Sequence, residues 1–289
     1  MIVLFAVSRA NAGELEARLK PLADAHQGKV AIAVKHLGNG ESYFLSADEP
    51  MPTASLIKLA VMVEYYAQVA EGKVKPTDAI TLKKEDMVPG SGVLTEHFSP
   101  GATFTLRDAT RLMIVFSDNT ATNMVLDQIG LPSTNTRAAK LGLNETRVNA
   151  KVFRADTRID QERGKKYGLG STTAREMVQL LGQIEAGKVV TPEACKEMLG
   201  HLKACDDKEK MTRFLPPGTV VAHKTGSVNA SKTDAGIIYT KSGPVALCVL
   251  TDGNEDQRWV TDNAAQVLIA KIGKEVCDHF GGPEVKEKK

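Results

Sequence analysis

The chain has 289 residues, of which 42% are hydrophobic and 25% charged. With 37 basic against 35 acidic residues the formal net charge is +2, which excludes a strong field for nucleic acid or an anionic membrane. The length allows one or two domains with a sizeable core.

The first residues are an apolar run, Ile2 to Val7, followed by Ala10-Asn-Ala12, a small-x-small pattern of the kind cleaved from exported proteins. The run is too short to span a bilayer and lacks a basic start. It reads as the remnant of an export signal over residues 1–12, with the mature chain from about Gly13; a first buried strand is the alternative. Nothing else approaches transmembrane length, so no membrane span is expected.

Leu15, Leu19 and Leu22 recur at helical spacing and predict a helix over 14–26. Val30–Val34 and Ser42–Leu45 predict two strands joined by the turn Gly38-Asn-Gly40. A helix from Ser55 to about Ala70 is apolar nearly all round and therefore buried. Residues 72–104 are loop-rich, and helices follow over Leu106–Phe116, Thr120–Ile129 and 132–141. Residues 144–170 are polar and basic, a long loop of the kind that carries function. Ser171-Thr-Thr caps a helix over Ala174–Leu181, and Pro192 opens another to about Leu202. Three strands, over 220–225, 235–240 and 245–251, and a helix over Trp259–Phe280 close the chain. Strands at both ends with helices between them predict an α+β fold, an antiparallel sheet completed by the two termini. The expected organisation is a single domain, 13–289: an inserted helical lobe over about 55–205 and an α/β lobe formed by 13–54 and 206–289.

Cys195, Cys205, Cys248 and Cys277 include no C-x-x-C and no zinc-like spacing to histidine. Buried free thiols fit best, with Cys195–Cys205 the one pair to test for a bridge. No metal and no cofactor is implied, since the six histidines show no paired ligand spacing and no phosphate-binding glycine loop occurs.

Three short strings carry the chemistry: Ser55-Leu-Ile-Lys58, Ser117-Asp-Asn119 and Lys224-Thr-Gly226, each occurring once. Ser55 and Lys58 share one helix face, where free N–H groups favour an oxyanion. A neutral Lys58 would take the Ser55 proton if burial and a neighbouring cation, Lys224, lowered its pKa. The alternative makes Ser55 an N-cap and Lys58 a solvated residue. Ser117-Asp-Asn falls between two apolar helices and aims side chains into a cleft; alternatively Ser117 or Asn119 caps the following helix. Lys224 and Thr225 on a strand would attract a carboxylate, helped by the Ser227 hydroxyl. Gly226 would let a ligand backbone approach. The N–H groups of Ser55 and Ser227 would form an oxyanion hole.

In order and separation these strings resemble those of the penicillin-recognising serine hydrolases, and within them the class A β-lactamases. Some 62 residues separate Ser55 from Ser117, and 107 separate Ser117 from Lys224. Ser117-Asp-Asn-Thr-Ala-Thr-Asn123, Thr146-Arg147 after Gly142-Leu143, and Ser171-Thr-Thr-Ala174 extend the likeness over roughly 14–280. The resemblance implies a β-lactamase/transpeptidase-like fold with Ser55 acylated, Lys58 as base or shuttle, and Ser117 protonating the leaving nitrogen. It implies Asn119 on the substrate's amide side chain, and Lys224, Thr225 and Ser227 on its carboxylate. Class A enzymes also carry Arg-x-x-Glu-x-x-x-Asn in an Ω-loop, whose Glu activates the deacylating water, and no Arg-x-x-Glu occurs here. By spacing, that position falls near Val152; a shifted loop would instead offer Glu162, within Asp156-Thr-Arg-Ile-Asp-Gln-Glu162.

The expectation is an exported, monomeric β-lactam hydrolase with small-molecule β-lactam or acyl-D-amino acid substrates, slow in deacylation. A D-Ala-D-Ala carboxypeptidase or esterase, or a non-catalytic covalent penicillin-binding sensor, is the alternative.

Overall fold

In chain order the computed structural model, which describes residues 4–284, opens with α1 (Leu4–Asp24), β1 (Lys29–His36) and β2 (Ser42–Leu45). β3 (Met51–Pro52) leads into a 3-10 turn, Ala54–Ile57, and then α2 (Lys58–Ala70). The next segment holds β4 (Ala79–Thr81), the one-turn α3 (Leu94–His97) and β5 (Thr103–Thr105). Three helices follow: α4 (Leu106–Val115), α5 (Asn119–Ile129) and α6 (Leu131–Lys140). After β6 (Arg147–Val148) come α7 (Gln161–Tyr167), β7 (Gly170–Thr172), α8 (Ala174–Glu185) and α9 (Pro192–Lys203). The chain ends in β8 (Val221–Val228), β9 (Ser231–Thr240), β10 (Gly243–Asp252) and α10 (Ala264–His279). The expected signal remnant, 1–12, falls outside the described residues except for the backbone of 4–12, which belongs to α1.

The main sheet has the order β2-β1-β10-β9-β8, all antiparallel. β1 pairs with β10, so the two ends of the chain complete one sheet as expected. Its strands obey the two-residue period. Ile32, Val34, Leu247 and Val249 pack with Leu15 and Leu19 of α1 and Ile269 and Ile272 of α10. Ala31, Ala33, Cys248 and Leu250 face the opposite way, into a larger core with α2, α4, α5, α8 and α9. The small residues on that face let the helices approach closely. Helix α2 is buried from Lys58 to Gln68, as an all-round apolar pattern requires.

Several boundaries differ for identifiable reasons. Ser55 sits in the 3-10 turn ahead of the helix rather than on its first turn, because Ala54 takes a left-handed φ of 45°. The last helix starts at Ala264, not Trp259, because Asn263 Oδ1 accepts the N–H groups of Ala265 and Gln266 and sets the cap there. The long polar segment is an Ω-shaped excursion closed at its base: Asn149 N–H donates to Leu169 O at 2.8 Å and its side-chain amide to Gly168 O at 3.1 Å. All four cysteines are buried free thiols, so the tested Cys195–Cys205 bridge is absent. No described helix is long and apolar enough to cross a membrane.

Candidate active site

The three strings converge on one cleft. Its two limbs, of about 560 and 630 Å³, share Ser55, Ser91, Ser227 and Trp259 in their linings. One runs along Ser117 and the edge strand β8; the other runs beneath the Ω-shaped segment, past Val152 and Phe153. A groove of similar volume, about 640 Å³, between α8 and β1 is lined by no hydroxyl, thiol or imidazole side chain.

Two lysines without solvent exposure meet at one hydroxyl. Lys58 Nζ donates to Ser117 O at 2.6 Å and to Asn119 Oδ1 at 2.9 Å, with Ser117 Oγ at 3.3 Å. Lys224 Nζ donates to Ser117 Oγ at 3.0 Å and to Thr225 O at 2.8 Å. Burial, then the Lys224 charge, drive the Lys58 pKa far below the ordinary lysine value, with Asp118 opposing. Burial also lowers Lys224, but Cys205 and Asp207 oppose it there. Lys58 is therefore the amine that loses its proton more easily, and Lys224 the better cation. Lys58 makes no hydrogen bond to Ser55; the nucleophile candidate is left free in the cleft.

The middle string divides its labour. Asp118, not Ser117 or Asn119, caps α5: its Oδ1 accepts Ala121 N–H at 2.7 Å, and its Oδ2 accepts Val93 and Leu94 N–H at 2.7 and 2.8 Å. Those bonds free its neighbours to face Lys58. Asn119 has both ends of its amide engaged, since Nδ2 donates to Pro89 O at 3.0 Å. A substrate amide would have to replace that bond. Ser117 is held at φ 53°, a left-handed conformation that costs a non-glycine residue about 1–3 kcal/mol. Ala54 and Phe153 share that conformation, so three of the four such non-glycine residues described border the cleft.

Gly226 has a packing role besides the one its position in a strand suggested. A Cβ there would lie 2.3 Å from Thr53 O, 2.5 Å from Thr233 Oγ1 and 2.8 Å from Leu56 N. On that side the approaching backbone is the protein's own serine-bearing turn, while Gly226 also lines the cleft where a ligand would lie. Replacing Gly226 by alanine should force the turn from β8 and cost about 3 kcal/mol, the upper end for overpacking, measured as a shift in urea midpoint. An unchanged midpoint would show that the turn yields freely.

Glu162 does not reach the site. Its side chain is 85% exposed on α7 and pairs with Lys165 at 2.9 Å. The position facing the cleft is Val152, whose backbone N–H and carbonyl are both clamped by the Asn123 amide at 2.8 and 3.0 Å. No carboxylate or histidine lines that limb. Sequence spacing pointed to Val152 and to the Asn123 string, but not to the clamp between them. Trp259 and Ser91, which line both limbs, carried no sequence signal because they belong to irregular segments.

The profile of the Beta-lactamase enzyme family matches residues 14–280, and the chain belongs to that family. It is 25% identical to β-lactamase CARB-3 of Pseudomonas aeruginosa over 283 residues, 96% of this chain and 94% of that one. The crystal structure of a β-lactamase from Sphaerobacter thermophilus superposes with a TM-score of 0.81 at 27% identity, covering 92% of this chain and 97% of the other. A Leu-to-Glu mutant of PBP-A, determined as its acyl-enzyme with penicillin G, superposes with a TM-score of 0.81 at 23% identity over 93% and 96% of the two chains. The β-lactamase/transpeptidase-like fold expected from the sequence is the fold observed.

Proposed function

We propose that the chain is a serine hydrolase that opens β-lactams through a Ser55 acyl-enzyme. The observation that carries this reading is the Ser117 hydroxyl, set between Lys58 Nζ at 3.3 Å and Lys224 Nζ at 3.0 Å on the wall of the cleft that holds Ser55. Neutral Lys58 takes the Ser55 proton, and Ser55 Oγ attacks the lactam carbonyl. The N–H groups of Ser55 and Ser227 receive the oxyanion; β8 is an edge strand, with backbone groups turned away from β9 to do so. Ser117 passes a proton to the departing nitrogen and recovers one from Lys58, which took it from Ser55, while Lys224 stays a cation. Lys224, Thr225 and Ser227 hold the substrate carboxylate, Asn119 meets the amide side chain, and Gly226 keeps the strand against the nucleophile's turn.

Intact mass after mixing with benzylpenicillin, followed over time, tests the reading. A mass increase equal to the whole penicillin is expected, decaying slowly; no increase at any time, with the penicillin left unhydrolysed, would refute it. The second reading, a covalent penicillin binder or sensor, is favoured by the absence of a carboxylate beneath the Ω-shaped segment, and a permanent adduct would establish it. A D-Ala-D-Ala peptidase or esterase role predicts faster turnover of acyl-D-amino acid substrates than of penicillin. Export and a monomeric state complete the proposal, the first resting on the apolar start and Ala10-Asn-Ala12. Cell fractionation and light scattering test them.

The acylation rate should follow a bell in pH. Lys58 acts as base only when neutral, so the rate falls tenfold per pH unit below its lowered pKa. Lys224 acts as a cation, and its pKa is also lowered, so the alkaline limb should begin below the ordinary lysine range. Stopped-flow acylation that is flat from pH 5 to 10 would contradict both assignments.

A further inference from the structure

Beside Lys224, β8 carries a histidine that has no part in the chemistry above. His223 is fully buried, and its Nδ1 lies 3.0 Å from Asp234 Oδ1. Asp234, equally buried on β9, is anchored by the Met211 N–H at 3.0 Å. Gly236, its partner on β9, leaves room for the histidine's own stem: a Cβ there would lie 2.4 Å from His223 Cβ and 2.8 Å from Ala222 O. The imidazole is thus fixed in orientation, and its other nitrogen, Nε2, is buried without a hydrogen-bond partner. The Cys205 thiol is a neighbour of this imidazole, close enough for each to shift the other. Cys205 follows α9 and borders the same limb of the cleft as Ser117, Lys224 and Thr225.

A carboxylate behind an imidazole, with a thiol in front, is the arrangement that stabilises a thiolate: the carboxylate holds the imidazolium, and the imidazolium holds the sulfur anion. The electrostatics run the same way. Burial would lower His223, but Asp234 and then Cys205 carry it up to about 10. Burial would raise Cys205, but His223 and then Lys224 bring it below the ordinary thiol value, with Asp234 opposing. By contrast, burial pushes Cys248 well up and Cys277 up to about 11.

We propose that Cys205, His223 and Asp234 form a thiol-modification site in the wall of the cleft, one that takes peroxides and small soft electrophiles and thereby switches off acylation at Ser55. With hydrogen peroxide, Cys205 Sγ attacks one oxygen; the S–O bond forms as the O–O bond breaks, and sulfur is oxidised by two electrons. The departing hydroxide takes the proton from His223 Nε2 and leaves as water, and the product is a sulfenic acid. The added atoms sit beside Lys224 and Thr225, where the substrate carboxylate binds. That consequence rests on the Ser55 reading; the reactivity of the thiol does not.

The full chain, treated with iodoacetamide at pH 6 and mapped by peptide mass, tests the site itself. At that pH an ordinary thiol of pKa near 8.5 is only about 0.3% thiolate. A single fast adduct on Cys205 is expected, with Cys195, Cys248 and Cys277 reacting only on unfolding. His223→Gln, checked for native circular dichroism, should slow it at least tenfold. Hydrogen peroxide should then abolish labelling of Ser55 by a fluorescent penicillin, reversibly with dithiothreitol, whereas Cys205→Ser should label normally and resist peroxide. Cys205 reacting no faster than the other thiols, or Cys205→Ser losing its labelling to peroxide as the wild type does, would overturn the proposal. Absence of penicillin labelling before any oxidant would instead overturn the Ser55 reading and the switch with it, while the alkylation rates would still decide the thiol site.

Discussion

A Ser55→Ala variant is expected to take no covalent penicillin under conditions that label the wild type completely. Loss of the nucleophile removes the acylation path itself, and in serine hydrolases such deletions cost on the order of 10⁶-fold in rate. The fold should survive, because Ser55 lies in the cleft lining and none of the hydrogen bonds that hold the three strings together uses its side chain. Circular dichroism and an unchanged thermal midpoint would establish that. Labelling of Ser55→Ala at the wild-type level would move the nucleophile elsewhere in the cleft, with Ser91 and Ser117 the first candidates.

Installing a carboxylate at Val152 should convert a slow hydrolase into a faster one. Val152 lines the limb of the cleft beneath the Ω-shaped segment, and the Asn123 amide clamps its backbone on both sides, so a glutamate there starts from a fixed position. General-base help is worth about 10²–10⁴-fold. Val152→Glu is accordingly expected to raise deacylation by about 10²-fold or more and to shorten the life of the adduct in proportion, with little change in the acylation burst. Glu162→Gln should leave both steps as they are, since that carboxylate faces solvent and Lys165. A wild type that already turns over a chromogenic cephalosporin rapidly, with no adduct accumulating, would sink the slow-deacylation reading. It would also send the search for the base to Asp206, Asp207 or Glu209, the acids of the other limb. Of these Asp207 is held by Lys210 at 2.6 Å, which keeps its carboxyl well below the usual range against the effect of burial.

The buried lysines bear on stability as well as chemistry. Both have pKa values lowered on folding, so the unfolded chain binds more protons near them, and their contribution to stability rises with pH between the folded and unfolded values. Both are buried at one hydroxyl, Ser117 Oγ, and such a site trades stability for reactivity.

Whereas the short elements within 72–104 and 144–170, α3, α7 and β4 to β6 among them, read only as loop, the strands of the main sheet, the longer helices, the hairpin of β1 and β2, the sheet shared by the two chain ends and the three chemical strings were legible in the residues. Each rests on a local rule: a two-residue period in strands such as Val30–Val34, an all-round apolar helix after Ser55, turn glycines at 38 and 40. Spacing also placed Val152 at the mouth of the site. What it could not supply was any relation between distant backbones. That Gly226 makes room for the turn before Leu56, that Asp118 rather than its neighbours caps α5, and that Glu162 turns to solvent depend on contacts across dozens of residues. The perturbed amine of Lys58 and the row from Cys205 through His223 to Asp234 likewise exist only once burial has removed water and brought charges from separate segments together. Periodicity and motif order report how a segment folds against its own neighbours; proton affinity and steric room are properties of the assembled interior, and only the tertiary structure decides them.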